Sequence, residues 1–331
     1  AYTEPPNLAA LEKAAAKEGQ LDISWGNIYG GAEGARRVQE GIARKYGVTL
    51  HVNYNVVAVG AVFQNQVIEE VRAGQRASTD ILFHIRDAQL AKYTQAADFR
   101  KYVPGLPDGV MYYDKHSVVL VTTILAEEYN SKLIPKDRVP TSLADLLQPQ
   151  WKGKIATPPY EGVLAWYLGL PEALGKDGMI KYFTALSGQL GGLITCGASD
   201  RVINGEFLIF GLDCGDYEVR LRQRLGQPIA AFYPKEGTSL YTFAPGIPQT
   251  AAHPAAARLF ISYLLTREGQ NLLWDVMASD DARIPGSHMA ALIAEQRKHG
   301  VKFIDTYGAD LKHPELIEYQ GQINKLVNQA K

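Results

Sequence analysis

A pair of α/β lobes, each a mostly parallel sheet flanked by helices, is the architecture this sequence predicts. Three observations lead to it. The chain has 331 residues, more than one ordinary hydrophobic core serves, so two domains of typical size are the natural division. Helix and strand patterns alternate from the first residues onward, the βαβ rhythm of a parallel sheet. Near the middle that rhythm breaks in a proline-rich stretch and then restarts.

The opening "NLAALEKAAAKEG" has apolar residues at helical spacing and stops at Gly19. "QLDISWG" then points Leu21, Ile23 and Trp25 to one side, as a half-buried strand does. "GGAEGARRVQEGIARKYG" reads as a turn into a helix that ends at Gly47, followed by the strand "VTLHVNYNVV", the helix "FQNQVIEEVRAGQ" and the strand "TDILFH". The strand-like "SVVLVTTIL" is the expected crossing into a second lobe, near Val118 to Thr122. Beyond it "TSLADLL" is expected to be a helix capped by Thr141 or Ser142, with Asp145 in its first turn. A second alternation follows: helix "GKDGMIKYFTALSGQLG", turn "TCGASD", helix "RVINGE", strand "FLIFGLDC" and helix "YEVRLRQRLG". The return is expected in "YTFAPGIPQTAAHP", ahead of "PAAARLFISYLLTREGQNLLW", a strongly amphipathic helical region with Pro254 in its first turn. The first lobe is thus expected at 1–118 with 247–290 and the second at 119–246. The helical tail 291–331 is expected to pack on the second.

Composition narrows the function. With 46% hydrophobic and 21% charged residues and a formal net charge of -1, the chain is globular and offers nucleic acid neither bulk charge nor a basic tract. The longest apolar runs, such as Ser117 to Leu125, are about half the length a membrane helix needs. "AYTEPPN" carries no initiator Met and no apolar leader, so it reads either as what a cleaved signal peptide leaves or as a cut boundary. Cys196 and Cys214 either close a disulfide loop of roughly 18 residues, worth about 3 kcal/mol, or are two buried thiols. Motifs of the form GxSxG, HExxH, CxxC or GK[ST] are absent, so neither a nucleophile elbow nor a phosphate loop is indicated.

The stretches "EGQLDISWG", "YNSKLIPKDRVPTSLADLLQPQWKGKIATPP", "INGEFLIFG", "YPKEGT" and "AAHPAAARLFISYLLTREGQ", in this order, resemble the family 1 extracellular solute-binding proteins of ABC importers. Within them the likeness is to the branch of ferric-iron binders and their relatives. The resemblance runs from Gly19 to about Gln270. It implies a type II periplasmic binding protein fold with the ligand cleft between the lobes, no catalysis and no cofactor. It also implies a soluble monomer outside the cytoplasm, a small-molecule ligand, and an ABC permease in the membrane as partner. Trp151, as a wedge after a capped turn, and Asn204 to Glu206 read as scaffold, and His253 reads as a surface residue.

In open α/β sheets ligands sit beyond the carboxyl ends of the strands. That rule selects Trp25, Asn27 and Tyr29 after the first strand and His84 after the third. In the second lobe it selects Tyr160 and Glu161, then Thr195, Ser199 and Arg201, then Asp216 and Tyr217. Several carry a structural alternative: Trp25 packs in the sheet, Ser199 caps a helix, or Arg201 is a solvated charge instead of a bidentate clamp on a carboxylate or phosphonate. The iron branch, as the resemblance implies, uses a His after the first strand, an acid after the third and two consecutive tyrosines in the second lobe. Here Tyr29 and His84 stand near the first two positions, and Asp216 and Tyr217 stand at the tyrosine pair. Tyr29, His84, Asp216 and Tyr217 could all coordinate a metal, but none of the three iron-branch positions matches fully. The expected ligand is therefore a small polar or anionic organic solute, with Fe(III) as the alternative. A cleft enzyme built on Asp216, Tyr217 and Glu161 is the remote one.

Overall fold

The computed structural model describes residues 2–57, 60–212 and 215–329. Helix α1 (Leu8–Glu18) begins where the Asn7 side chain accepts the Ala10 N–H, a standard N-cap. Strand β1 (Gln20–Trp25) leads through helix α2 (Gly31–Tyr46) to β2 (His51–Val56), and the two strands pair in parallel from Gln20 opposite His51 to Trp25 opposite Val56. Helix α3 (Gly60–Arg72) follows. The expected strand over 79–84 makes only an isolated bridge, Leu82 to Gly246. Side chains have taken over part of its ladder. The Asp22 N–H donates to Asp80 Oδ2 at 2.7 Å and the Ser24 N–H to Thr79 Oγ1 at 3.2 Å, so β1 is satisfied without a regular third strand.

Short helix α4 (Ala88–Ala91) and strand β3 (Thr94–Gln95) precede the hairpin β4 (Met111–Tyr112) and β5 (Ser117–Val118). The connection between β4 and β5 holds Tyr113, Asp114 and Lys115, all at positive φ. Strand β6 (Val121–Ile124), buried throughout, carries the chain onward to β7 (Glu127–Asn130). Then come β8 (Ile155–Thr157), α5 (Glu161–Ala165), α6 (Gly175–Ser187), β9 (Leu190–Leu193), α7 (Asp200–Ile203), β10 (Ile209–Phe210), α8 (Tyr217–Arg224) and β11 (Ile229–Phe232). Their sheet has the order β11-β7-β10-β8-β9, with β8 parallel to both β9 and β10, and β7 antiparallel to both β10 and β11. The chain continues through β12 (Thr238–Phe243), β13 (Ile247–Pro248), α9 (Pro254–Leu265), α10 (Arg267–Met277), α11 (His288–Lys298), β14 (Phe303–Asp305), α12 (Pro314–Ile317) and α13 (Tyr319–Val327). The helix expected in "TSLADLL" is a single 3₁₀ turn, Ala144–Leu147. Gln148 is extended (ψ 144°) ahead of Pro149, which disfavours the helical region for its predecessor and stops propagation.

By packing, the chain divides into two compact units: Ala1–Thr122 with Thr242–Ala291, and Thr123–Tyr241 with Leu292–Lys331. The first unit is built around α9. The sequence reads as amphipathic there, yet all of Pro254–Leu265 is buried, because α1, α2 and α10 each pack against it. Its one charge, Arg258, donates to the carbonyls of Pro254 (3.1 Å) and Ala96 (3.2 Å) and to Gln95 Oε1 (3.0 Å), with the Tyr2 ring 4.4 Å away. The Glu18 carboxylate accepts the N–H groups of Ala255 and Ala256 at the start of α9, where an anion complements the helix dipole.

The second unit's core gathers Ile155, Tyr167, Leu168, Phe183 and Ile209 and is completed from the tail by Leu316, Ile323 and Val327. Helix α13 lies directly on α5. A Cβ at Gly162 would meet the Gln320 carbonyl oxygen at 2.1 Å. The Gly162 N–H donates to Asn324 Oδ1, and Asn328 Nδ2 donates to the Pro159 carbonyl, both at 2.7 Å. Among the described residues no helix is long and apolar enough to cross a membrane.

Candidate functional site

In the first unit the carboxyl end of β1 runs into Asn27 and Tyr29. Tyr29 sits at φ 53°, a left-handed backbone that costs a residue with a side chain of order 1 to 3 kcal/mol and recurs at functional edges. The strained turn packs tightly on α2, where a Cβ at Gly34 would lie 2.0 Å from the Tyr29 carbonyl oxygen. The side chain accordingly turns inward. Tyr29 is 2% exposed, its hydroxyl donates to the Phe83 carbonyl at 2.9 Å, and its ring meets Trp25 edge-on at 4.9 Å. Trp25 is likewise in the core, with Nε1 donating to the Ile81 carbonyl at 3.1 Å. Asn27 is exposed. Tyr54, on β2, was not anticipated: its hydroxyl bonds the carbonyls of Trp25 and Gly26 and braces the same turn.

His84 is buried, and its Nδ1 accepts the Ala244 N–H at 3.2 Å. That bond places the ring proton on Nε2. Burial, helped by the charge of Arg86, pushes its pKa down to about 3, so the imidazole is neutral at every physiological pH.

In the second unit the loops after β8, β9 and β10 carry the remaining candidates. The Tyr160 hydroxyl accepts the Cys196 N–H at 3.0 Å and lies 3.0 Å from Cys196 Sγ, tying the β8 loop to the β9 loop. Cys196 is disulfide-bonded; the other cysteine of the sequence, Cys214, lies outside the described residues. Thr195 is exposed and Tyr217 half-buried. Glu161 is fully buried and accepts from Thr157 Oγ1 at 2.9 Å. Ser199 is also fully buried and gives its hydroxyl to Glu128 at 3.0 Å, so it does not serve as the side-chain cap of α7. Arg201 is half-buried and held bidentately by Glu206, with its guanidinium 4.9 Å from the Phe207 ring.

Asp216 is 2% exposed and thoroughly engaged. One carboxylate oxygen accepts Thr123 Oγ1 and the Ile124 N–H, each at 3.0 Å; the other accepts the Tyr233 hydroxyl at 3.2 Å and pairs with Arg220. Leu212, just after β10, is another strained residue (φ 47°), anchored by its N–H to Glu127 at 3.0 Å.

Of the four conceivable iron ligands, Tyr29 and His84 belong to the first unit and Asp216 and Tyr217 to the second. Tyr29, His84 and Asp216 already spend the relevant atoms on internal hydrogen bonds. Among the described residues a different trio, Asp22, Asp80 and His253, brings its donor atoms within 4.8 Å of one another. Its oxygens are taken too. Asp80 accepts the N–H groups of Asp22 and His253 and lies 2.8 Å from His253 Nδ1, while Asp22 accepts Gln20, Asn53 and Arg76. His253 is thus half-buried and structural, not the plain surface residue expected.

A family model described as bacterial extracellular solute-binding protein matches residues 70–305. No curated protein matches the sequence. Among solved structures, the substrate-binding protein of an ABC transporter from Agrobacterium tumefaciens superposes with TM-score 0.72 at 17% identity, covering 94% of this chain and 97% of that one. The periplasmic binding protein AfuA from Actinobacillus pleuropneumoniae, with fructose-6-phosphate bound, gives 0.70 at 19%, covering 93% and 99%. Iron-bound HitA from Pseudomonas aeruginosa gives 0.65 at 17%, covering 94% and 99%. The fold is that of the type II periplasmic binding proteins.

Proposed function

Since the chain belongs to the bacterial extracellular solute-binding proteins, the match covering residues 70–305 of 331, we propose that it captures a small polar or anionic organic solute outside the cytoplasm and delivers it to an ABC permease. One observation carries the choice of solute. The ionisable candidates at the strand ends of both units are already committed internally: Asp216 to Arg220 and backbone, Glu161 to Thr157, and His84 Nδ1 to Ala244. Fe(III) calls for anionic oxygen donors, and these carboxylates would have to abandon buried hydrogen bonds to supply them. A cationic solute would find the same acids withdrawn. An organic solute needs only hydroxyls, amides and ring faces, and Asn27, Thr195 and Tyr217 supply these at exposed or half-buried positions.

The test is a thermal-shift screen of the purified protein against sugar phosphates, phosphonates, aromatic acids, polyamines and Fe(III). A solute at 100 times its dissociation constant adds about 2.7 kcal/mol of stability, a readable shift. Stabilisation by anionic organic compounds is expected. Stabilisation by Fe(III) alone, with the visible colour of an iron phenolate, would overturn the choice of solute in favour of iron, and turnover of any added compound would overturn the non-enzymatic reading.

A further inference from the structure

The turn that carries Tyr160 between β8 and α5 is poor in donors of its own. Pro158 and Pro159 bring no N–H, so the turn is held through its carbonyls and through the amides that follow. Within it the Glu161 N–H donates to the Pro158 carbonyl at 3.2 Å, and the Val163 N–H to the Tyr160 carbonyl at 3.0 Å. Those two bonds leave the Pro159 carbonyl and the Gly162 N–H. The tail takes both: Asn328 Nδ2 donates to the first and Asn324 Oδ1 accepts the second, each at 2.7 Å.

Both asparagines lie on one side of α13, where Gln320, Asn324 and Asn328 recur every four residues. Ile323 and Val327 beside them are fully buried in the second unit's core and anchor the helix. Asn328 Nδ2 is tied as well to the Asn324 carbonyl at 2.7 Å. From the other end of the turn Tyr160 reaches the loop after β9, its hydroxyl accepting the Cys196 N–H at 3.0 Å. The disulfide restrains the Cys196 side chain, and the tyrosine holds its amide. Thr195, exposed and assigned to the solute above, is the residue next to that amide. All of these groups belong to the second unit.

We propose that Asn324 and Asn328 are positioning residues for solute capture: through the turn at 158–162 and the Tyr160 hydroxyl they set where Thr195 and Cys196 stand. The consequence for binding rests on the solute-capture reading above. The asparagines touch no solute themselves. They keep the loop in its binding arrangement, and a chain whose turn slips binds more weakly in proportion to the fraction out of place. Sequence selects Tyr160 by its place after a strand; the group that aims it sits 162 residues beyond Gly162.

Amide-resolved hydrogen exchange on the full chain, with no solute added, tests this. Asn324→Leu, which deletes the oxygen and keeps an apolar bulk, should speed exchange at Gly162 and Cys196 together by about three- to tenfold, the worth of one hydrogen bond. Ile194, whose N–H is bound instead to the Thr157 carbonyl at 3.1 Å, should keep its rate. Asn324→Asp retains an acceptor for the Gly162 N–H and should restore both rates. Tyr160→Phe should speed Cys196 and leave Gly162 unchanged, which gives the direction of the relay. If Asn324→Leu unfolds the protein, Asn328→Ala, at an exposed position, carries the same comparison. An unchanged rate at Cys196 in either the tail variant or Tyr160→Phe would overturn the assignment. So would equal acceleration at Ile194, the mark of general loosening. Because no solute is present, these results stand apart from failure of the ligand screen.

Discussion

The docking of the tail on α5 makes a sharp prediction through two glycines, one on α5 facing α13 and one on the exposed side of α13 itself. At Gly162 an added methyl would meet backbone atoms of Gln320, its carbonyl oxygen at 2.1 Å and its carbonyl carbon and Cα at 2.7 Å. Backbone of a packed helix does not yield as a flexible side-chain tip does, so α13 must shift by about 1 Å or more. Overpacking of this kind costs about 1 to 3 kcal/mol, and loss of the bond from the Gly162 N–H to Asn324 adds about 1 kcal/mol. Full detachment would expose Ile323 and Val327, both now fully buried, at about 1.5 to 3 kcal/mol each, so a partial shift near 3 kcal/mol is the cheaper outcome. The second unit has 159 residues (119 from Thr123–Tyr241 and 40 from Leu292–Lys331). At about 2 to 4 °C per kcal/mol for a domain of that size, Gly162→Ala should lower its melting temperature by about 6 to 12 °C in scanning calorimetry. Gly321 lies within α13, is exposed, and has nothing within 4 Å of its notional Cβ. Gly321→Ala should therefore raise stability by about 0.5 to 1 kcal/mol, the gain in helix propensity. An unchanged melting temperature for Gly162→Ala, or a loss for Gly321→Ala, would refute the placement of the tail.

Two further outcomes are expected. His84, held to a pKa of about 3 by burial and Arg86, should contribute stability that is complete above the unfolded pKa near 6.5 and is lost as pH falls toward 3, at up to about 1.4 kcal/mol per pH unit. His84→Asn, which can still accept the Ala244 N–H, should flatten that slope in urea melts between pH 6 and pH 4; a slope identical to the parent's would mean the ring is not the group responsible. With the first solute found in the screen, Tyr217→Ala should weaken binding by about 1 to 3 kcal/mol in calorimetry. Arg201→Ala should leave affinity nearly unchanged because Glu206 already occupies the guanidinium, and the reverse order would put Arg201 back at the solute.

Much of the scaffold is legible in the residues. Alternation of Leu21, Ile23 and Trp25 places β1, and glycines at 19 and 47 end α1 and α2 where expected. What alternation cannot convey is how a polar group is satisfied. "TDILFH" looks like a strand, but Thr79 and Asp80 spend their side chains on β1 and the regular ladder lapses. Nor does "EEYN" reveal that Glu127 and Glu128 are fully buried against Leu212 and Ser199, partners more than 70 residues away in the chain. The same limit applies at the site. Position after a strand is readable and selected Tyr29, His84, Asp216 and Tyr217, but direction is not: Tyr29 turns inward, and Asp216 turns toward Thr123. Helix α9 misleads for a related reason. A period of 3.6 with one Arg reads as a polar face, whereas the Arg is taken up by carbonyls and Gln95 within the interior.

The placement of α9 at the centre of the first unit also orders events during synthesis. Residues 8–122 supply the surfaces that wrap this helix, but the helix itself is made only after residue 253. The inserted second unit waits as well, for Leu316, Ile323 and Val327 at the far end of the chain. Neither core closes on a growing chain until most of it has been made, so long-range pairing comes last and sets the pace. A protein that works outside the cytoplasm gains from that delay, since a chain without a finished core can still be threaded through a membrane pore.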